Sequence, residues 1–189
     1  MTMTEAAVRQ SLRQDILGAT PGHAEAIYEF WVPRSNERAD VAVIGALMQG
    51  YEIKTERDTL KRLPRQTEAY ARVFDRCHAV LAECHVDHAM EMLPSSWGVL
   101  VIETEPRLSF RLLRAAVVND AVDAEVLVRL LWKGEVHAAL CALGYVPDPR
   151  AGRFHMWELL LSLLDIDGIK QVVRDALLQR DPARARIST

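Results

Sequence analysis

Two short segments with the composition of strands, joined by a glycine-bounded connection, constrain the fold of this chain more than any other feature. The first segment covers residues 40–44 and the second covers residues 51–55, with Gly45 and Gly50 punctuating the chain between them. Both segments are the length of a strand and rich in β-branched residues, and glycines of this kind mark turns. We therefore predict that the two segments form a hairpin.

The rest of the chain reads as strands and helices in its first two thirds and as helices in its last third. Further strands are predicted at 26–32, 79–82 and 97–103, whereas residues 110–118 fit either a short strand or a helix. Thr4 is a plausible cap for the first helix, and Pro64 suits the first turn of the second. Helices are predicted at 4–17, 63–76, 87–92, 121–143, 156–164 and 169–178, and the tail at 182–189 is expected to fray.

These elements predict an α/β fold with a mixed central sheet flanked by helices and a C-terminal helical part. The chain has 189 residues, half of them hydrophobic, which is enough to bury a core without disulfides. We assign residues 1–120 to the α/β core and residues 121–189 to a helical region packed on it. We predict a cytoplasmic protein, because three cysteines do not make a disulfide framework and the N-terminus does not resemble a signal peptide. No membrane partner is expected, because no apolar run reaches the roughly 18 residues of a membrane span.

Charged side chains are expected to meet on one face of the hairpin. Side chains alternate between the two faces of a strand, so an even register places Asp40 on the face that carries Glu52 and Lys54. Opposite residues lie about 4.5–5.5 Å apart at Cβ, and Ala42 leaves room between the two acids. Mg²⁺ prefers one or two carboxylates, retained waters and a phosphate oxygen. The alternative is an exposed ion pair between Asp40 and Lys54, worth at most about 1 kcal/mol.

Basic residues cluster just after the strand predicted at 51–55. The formal net charge of −3 gives no global reason to expect nucleic-acid binding. Phosphate contacts are predicted from Arg57, Lys61, Arg62 and Arg65. A solvated basic surface is the alternative interpretation of the same residues.

An acid at Asp40 and the tripeptide Glu52-Ile53-Lys54, followed by a helix, resemble the PD-(D/E)XK or restriction-endonuclease-like nuclease superfamily. A longer string from Glu52 to Gln66 resembles a poorly characterised bacterial family within that superfamily. The segments Trp97-Gly98 and Leu130-Leu131-Trp132 extend this resemblance over most of the chain. The short nuclease motif is weakly specific, whereas the longer string is much more specific.

The resemblance implies a restriction-endonuclease-like fold and a Mg²⁺-dependent (or Mn²⁺-dependent) nuclease that hydrolyses DNA phosphodiester bonds. It makes Asp40 and Glu52 metal ligands and Lys54 the catalytic lysine. Members of the superfamily often add an upstream acid, for which Glu29 is the first candidate and Glu25 the second. No proline precedes Asp40, a departure that leaves the metal chemistry intact.

A Gln-x-x-x-Tyr pattern found in some members matches Gln66 and Tyr70. Residues at i and i+4 share one helix face, so both side chains could point to the site. The alternative is a surface amide beside a core tyrosine. A second function also stays open, a non-catalytic DNA-binding or protein-interaction module on a nuclease fold, and so do an RNA substrate and a homodimer.

Overall fold

The computed structural model describes residues 4–148 and 150–180. The chain divides into two compact units, residues 1–122 and residues 123–189. The described part contains six strands and seven α-helices, which confirms the predicted mixed α/β class. No helix within these described ranges is long and apolar enough to cross a membrane.

The first unit is built on one mixed six-stranded sheet whose strands lie in chain order, β1 to β6. The pairs β3–β4 and β4–β5 are parallel, and the other three pairs are antiparallel. The elements of this unit are α1 (Glu5–Ala19), β1 (Glu25–Trp31), β2 (Arg38–Ile44), β3 (Met48–Lys54), α2 (Leu63–Ala71), β4 (Arg76–Leu81), α3 (Val86–Met92), β5 (Gly98–Glu103) and β6 (Ser109–Arg114). Residues 110–118, which fitted two element types, thus contribute to a strand.

The predicted hairpin is confirmed as β2 and β3, and its register is even. Val41 lies opposite Tyr51 and Ala42 lies opposite Gly50. Continuing this register by one residue places Asp40 opposite Glu52, on the same face of the sheet. The sequence prediction that the two carboxylates share a face therefore agrees with the structure.

The two faces of this hairpin are covered by different parts of the chain. On one face the apolar side chains of β2 and β3 pack against α1 in a buried cluster that includes Val8, Leu12, Val41, Val43 and Ile53. On the other face the ring of Phe74 lies directly over Gly50, where an added Cβ would come within 2.5 Å of the ring. Asp40 and Glu52 belong to this second face.

The predicted helix over residues 63–76 is wrong at its C-terminal end, because α2 ends at Ala71. The backbone N–H of Asp75 donates to the carbonyl of Met48 over 2.8 Å, and the Asp75 carboxylate accepts from the Met48 N–H over 2.8 Å. The side-chain amide of Asn119 donates to the carbonyls of Ala71 and Phe74. These long-range bonds turn the chain beside β3, so that β4 begins where helix was expected.

The second unit is helical and consists of α4 (Ala124–Leu127), α5 (Lys133–Ala142), α6 (Arg153–Leu163) and α7 (Ile166–Leu178). The predicted single helix over residues 121–143 is wrong, because the backbone is extended at Leu131 and Trp132. The Glu135 carboxylate accepts from the backbone N–H of Trp132 over 2.7 Å and thereby starts a new helix. The prediction for the tail at 182–189 concerns residues outside the described part.

Candidate active site at the open end of the β2–β3 hairpin

A cavity of about 390 Å³ lies where β2 and β3 separate. Val41 and Tyr51 are the last residue pair of the hairpin, and the cavity opens beyond them. Its volume is within the range of small-molecule sites. The lining includes six of the residues that sequence reasoning assigned to the site, namely Glu29, Asp40, Glu52, Lys54, Arg62 and Gln66.

Glu52 is the most thoroughly bonded residue of the site and is only 2% exposed. Its Oε1 accepts from Lys54 Nζ over 2.6 Å and from Gln66 Nε2 over 2.6 Å. Its Oε2 lies 2.5 Å from the hydroxyl oxygen of Tyr70. A carboxylate has about four lone-pair sites, so these three donors leave Glu52 one acceptor site, on Oε2.

Asp40 is placed beside Glu52 by the divergence of the two strands. The pairing of β3 with β2 ends at Tyr51, and the backbone N–H of Ile53 donates to Asp40 Oδ2 over 2.6 Å. Burial, and then the charge of the adjacent Glu52, raise the pKa of Asp40 from 3.8 to about 7, although the Ile53 N–H and Lys54 act in the opposite direction. Two carboxylates held this close favour either a proton or a cation between them.

Lys54 follows Glu52 by two residues and therefore lies on the same face of β3. It is 7% exposed, and it pairs with Glu52 rather than with Asp40. The alternative of an exposed ion pair between Asp40 and Lys54 is therefore wrong. The ammonium group is held at the wall of the cavity by a buried partner.

Gln66 and Tyr70 both reach Glu52 from α2, so the predicted common helix face is confirmed. Gln66 is buried, which excludes the alternative of a surface amide, and its Oε1 has no hydrogen-bond partner among the described residues. Tyr70 stacks on Trp97 in the core, with ring centroids 5.6 Å apart. Burial and the Glu52 charge raise the pKa of Tyr70 well above its usual value, so its hydroxyl remains a donor.

The upstream acid that lies close to Asp40 is Glu29 rather than Glu25. The β1–β2 register runs through Tyr28 opposite Val41, which places Glu29 opposite Asp40. Glu25 lies opposite Ile44 instead, four residues or about 13 Å farther along β2.

Two residues of α1, Glu5 and Arg9, also belong to this site, and sequence reasoning missed both. Carboxylate oxygens of Glu5, Glu29 and Asp40 lie within 4.8 Å of one another. The Arg9 guanidinium bonds to Glu5, lies 2.7 Å from Glu29 and lies 3.9 Å from Asp40. Exposed acidic clusters are common without a metal, so this proximity alone assigns none. The available signal was the i, i+4 spacing of Glu5 and Arg9 next to the apolar stripe of α1.

The four predicted phosphate-binding residues differ in their surroundings. Arg62 lines the cavity and its guanidinium lies 2.6 Å from the carboxylate of Glu37, while that of Arg65 lies 3.8 Å from it. Glu37 is buried and was not anticipated. Arg57 and Lys61 are exposed on the loop between β3 and α2. The positive charge of this basic segment is thus partly neutralised by Glu37, which lies on the connection between β1 and β2.

This chain is similar in sequence to a protein of a bacteriophage. The sequence pattern of the family described as bacteriophage P4 protein cII matches residues 6–186. Protein cII of Enterobacteria phage P4 is 25% identical over 158 residues, which cover 83% of this chain and 60% of that protein. This chain therefore spans less than two thirds of the relative's length. A solved protein of unknown function from Silicibacter pomeroyi is 24% identical to this chain, and the match covers 68% of this chain and 83% of that one. Its TM-score of 0.41 is too low to support an inference. The match over nearly the whole sequence shows that the chain belongs to the bacteriophage P4 protein cII family.

Proposed function

We propose that this protein is a metal-dependent nuclease that hydrolyses DNA phosphodiester bonds, and that it is a member of the PD-(D/E)XK superfamily. The observation that carries the proposal is the common face of Asp40, Glu52 and Lys54 at the wall of a cavity of about 390 Å³. Gln66 reaches the same carboxylate from the helix that follows. An acid pair and a lysine in this arrangement can hold a divalent cation and stabilise negative charge on a phosphate.

The residues present fit a Mg²⁺ or Mn²⁺ ion. Asp40 Oδ1 lies 3.9 Å from the Arg9 guanidinium, and the hydrogen bonds among the described residues leave Glu52 one acceptor site on Oε2. Gln66 Oε1, which has no hydrogen-bond partner in the described part of the chain, is a suitable acceptor for a water on such an ion. These are the few carboxylates and waters that Mg²⁺ prefers. When bound, the ion would supply a water of lowered pKa and charge neutralisation at the phosphate.

The remaining chemistry comes from the chain itself. The Lys54 ammonium is fixed by Glu52 at the cavity wall, where it can stabilise the negative charge that develops on the phosphoryl oxygens. Gln66 and Tyr70 orient Glu52 by donating hydrogen bonds to it, so they act as positioning residues. Arg62 at the cavity edge favours the approach of a phosphate, although Glu37 offsets part of its charge.

A non-catalytic DNA-binding or protein-interaction module is the second candidate function. The observation in its favour is that Arg9 already contacts Glu5, Glu29 and Asp40. The cluster is thus partly balanced without a metal.

The test is Mg²⁺-dependent cleavage of single-stranded and duplex DNA by the wild type, Asp40→Asn and Lys54→Ala, with Lys133→Ala in the other unit as the control. We expect Lys54→Ala to lose about 100-fold or more in rate, as for removal of one transition-state donor. Equal rates in all variants would refute the proposal. Calorimetry separates the second candidate: Mg²⁺ binding that is lost in Glu52→Gln supports the nuclease, and no binding supports the module. Cleavage of RNA under the same conditions decides between the two nucleic acids.

A further inference from the structure

A second cavity, of about 490 Å³, lies beside the candidate active site, between the loop that follows β3 and helix α3. Asp58 lines both this cavity and the first one, so the two share a wall. The side chains that matter for its chemistry are Leu60 and Lys61 from the loop and His85, His88 and Met92 from the region of α3.

Hydrogen bonds hold the loop at a defined position relative to Lys54. Asp58 Oδ2 accepts from the backbone N–H and the hydroxyl of Thr55, over 2.7 and 2.6 Å. From the other side of the cavity, Nε2 of His85 lies 3.0 Å from the Thr55 carbonyl oxygen. Because Thr55 directly follows Lys54, these bonds fix the second cavity next to the lysine.

The lining of this cavity matches the chemistry of a nucleotide. Two imidazole rings, a thioether and a leucine offer flat or polarisable apolar surface, on which a base can stack or pack. The exposed ammonium of Lys61 lies at the same cavity and suits a phosphate oxygen. The volume is within the range of sites for molecules of nucleotide size.

We propose that this second cavity binds the unpaired nucleotide next to the scissile phosphate, and that the substrate is therefore DNA with a single-stranded segment at the site of cleavage. The inference rests on the nuclease function proposed above, which places that phosphate at Lys54. A base inside a duplex is paired and stacked, and taking it out costs a few kcal/mol. An unpaired base enters without that cost, so single strands bind more tightly than duplexes.

The experiment measures binding rather than cleavage. Fluorescence anisotropy with a labelled oligothymidylate and with a blunt duplex, in EDTA, compares the wild type, His88→Ala and His88→Phe. His23→Ala is the matched control, since His23 and His88 are both exposed and His23 lies on the connection between α1 and β1. We expect His88→Ala to weaken single-strand binding about fivefold or more, as for loss of one stacked base, and to leave duplex binding unchanged. His88→Phe, which keeps a flat ring, should restore most of the affinity.

Two results would overturn the inference: equal affinity of the wild type for the single strand and the duplex, or His88→Ala that binds the single strand as tightly as His23→Ala does. Failure of the nuclease function has a different signature. If Lys54→Ala and the wild type cleave equally while single-strand binding depends on His88, the nucleotide site stands and the cleavage proposal falls. If cleavage depends on Lys54 but not on His88, only the nucleotide site falls.

Discussion

Replacing Asp40 by asparagine is expected to stabilise the metal-free protein at neutral and alkaline pH. Burial, and then the charge of Glu52, raise the pKa of Asp40 from 3.8 to about 7. This shift is about three pKa units at about 1.4 kcal/mol each, so the ionised carboxylate destabilises the fold by up to about 4 kcal/mol. Asparagine carries no charge, and its side-chain oxygen can still accept from the Ile53 N–H. We therefore expect Asp40→Asn to recover most of that free energy.

The pH dependence of this effect has a definite sign. The pKa of Asp40 is higher in the folded state than in the unfolded state, so between about pH 4 and pH 7 the folded protein binds more protons. The free energy of unfolding of the wild type consequently falls as the pH rises through this window. The advantage of Asp40→Asn should be absent below about pH 4 and complete above about pH 7, where it corresponds to a rise in melting temperature on the order of 10 °C.

Thermal unfolding followed by circular dichroism from pH 4 to pH 9, in EDTA, measures this effect. Asp87→Asn is the matched control, because Asp87 is exposed on α3. A stability difference between Asp40→Asn and the wild type that is the same at every pH, or that decreases as the pH rises, would refute the raised pKa of Asp40. Adding Mg²⁺ should then raise the melting temperature of the wild type and not that of Asp40→Asn, because only the wild type keeps the ligand.

Three further substitutions test the surroundings of the site. Lys54→Met leaves the Glu52 carboxylate buried without its cation and should lower the free energy of unfolding in urea by about 3–5 kcal/mol. Adding Glu52→Gln to this variant should recover part of that loss. Strictly additive effects of the two substitutions would contradict the pairing. Arg9→Gln removes the guanidinium from the acidic cluster and should tighten Mg²⁺ binding in calorimetry about fivefold, which corresponds to about 1 kcal/mol of partly exposed charge pairing. Arg13→Gln, one turn further along α1, is the matched control because Arg13 is exposed. Weaker binding in Arg9→Gln than in Arg13→Gln would show that Arg9 supports the site. Gly50→Ala places a Cβ 2.5 Å from an aromatic ring and should destabilise the protein by about 1–3 kcal/mol, whereas Gly134→Ala, which meets no atom within 4 Å, should not lower the melting temperature.

Local periodicity was sufficient to predict the arrangement of the central acids. Because strand side chains alternate with a period of two, an even register fixed the common face of Asp40, Glu52 and Lys54 without knowledge of the rest of the fold. The helical period did the same for Gln66 and Tyr70, both of which bond to Glu52. Asp40, Glu52 and Lys54 lie on one hairpin, and Gln66 and Tyr70 lie on one helix. Their relative positions therefore follow from local geometry.

Features set by distant contacts were not predictable from the same patterns. The end of α2 is decided by Met48 and Asn119, which bind the chain just after the helix from far away in the sequence. The partner of Arg62 is Glu37, on the connection between β1 and β2. No local pattern around Glu37 distinguishes it from an exposed acid, because its burial depends on the tertiary fold.

The two central acids of this site differ in the number of hydrogen bonds that their carboxylates accept. Glu52 receives hydrogen bonds from Lys54, Gln66 and Tyr70, so its negative charge is compensated by donors on the elements that bury it. Asp40 receives one backbone N–H and lies 3.9 Å from the nearest nitrogen of Arg9, so its compensation is incomplete and its pKa rises. A bound cation would mainly stabilise the ionised form of Asp40, because burial and the neighbouring acid disfavour that form in the metal-free protein. We therefore expect metal binding to release a proton from Asp40 near pH 6. Calorimetry of Mg²⁺ binding in two buffers of different ionisation enthalpy would detect that proton, and an apparent enthalpy that is the same in both buffers would refute the assignment.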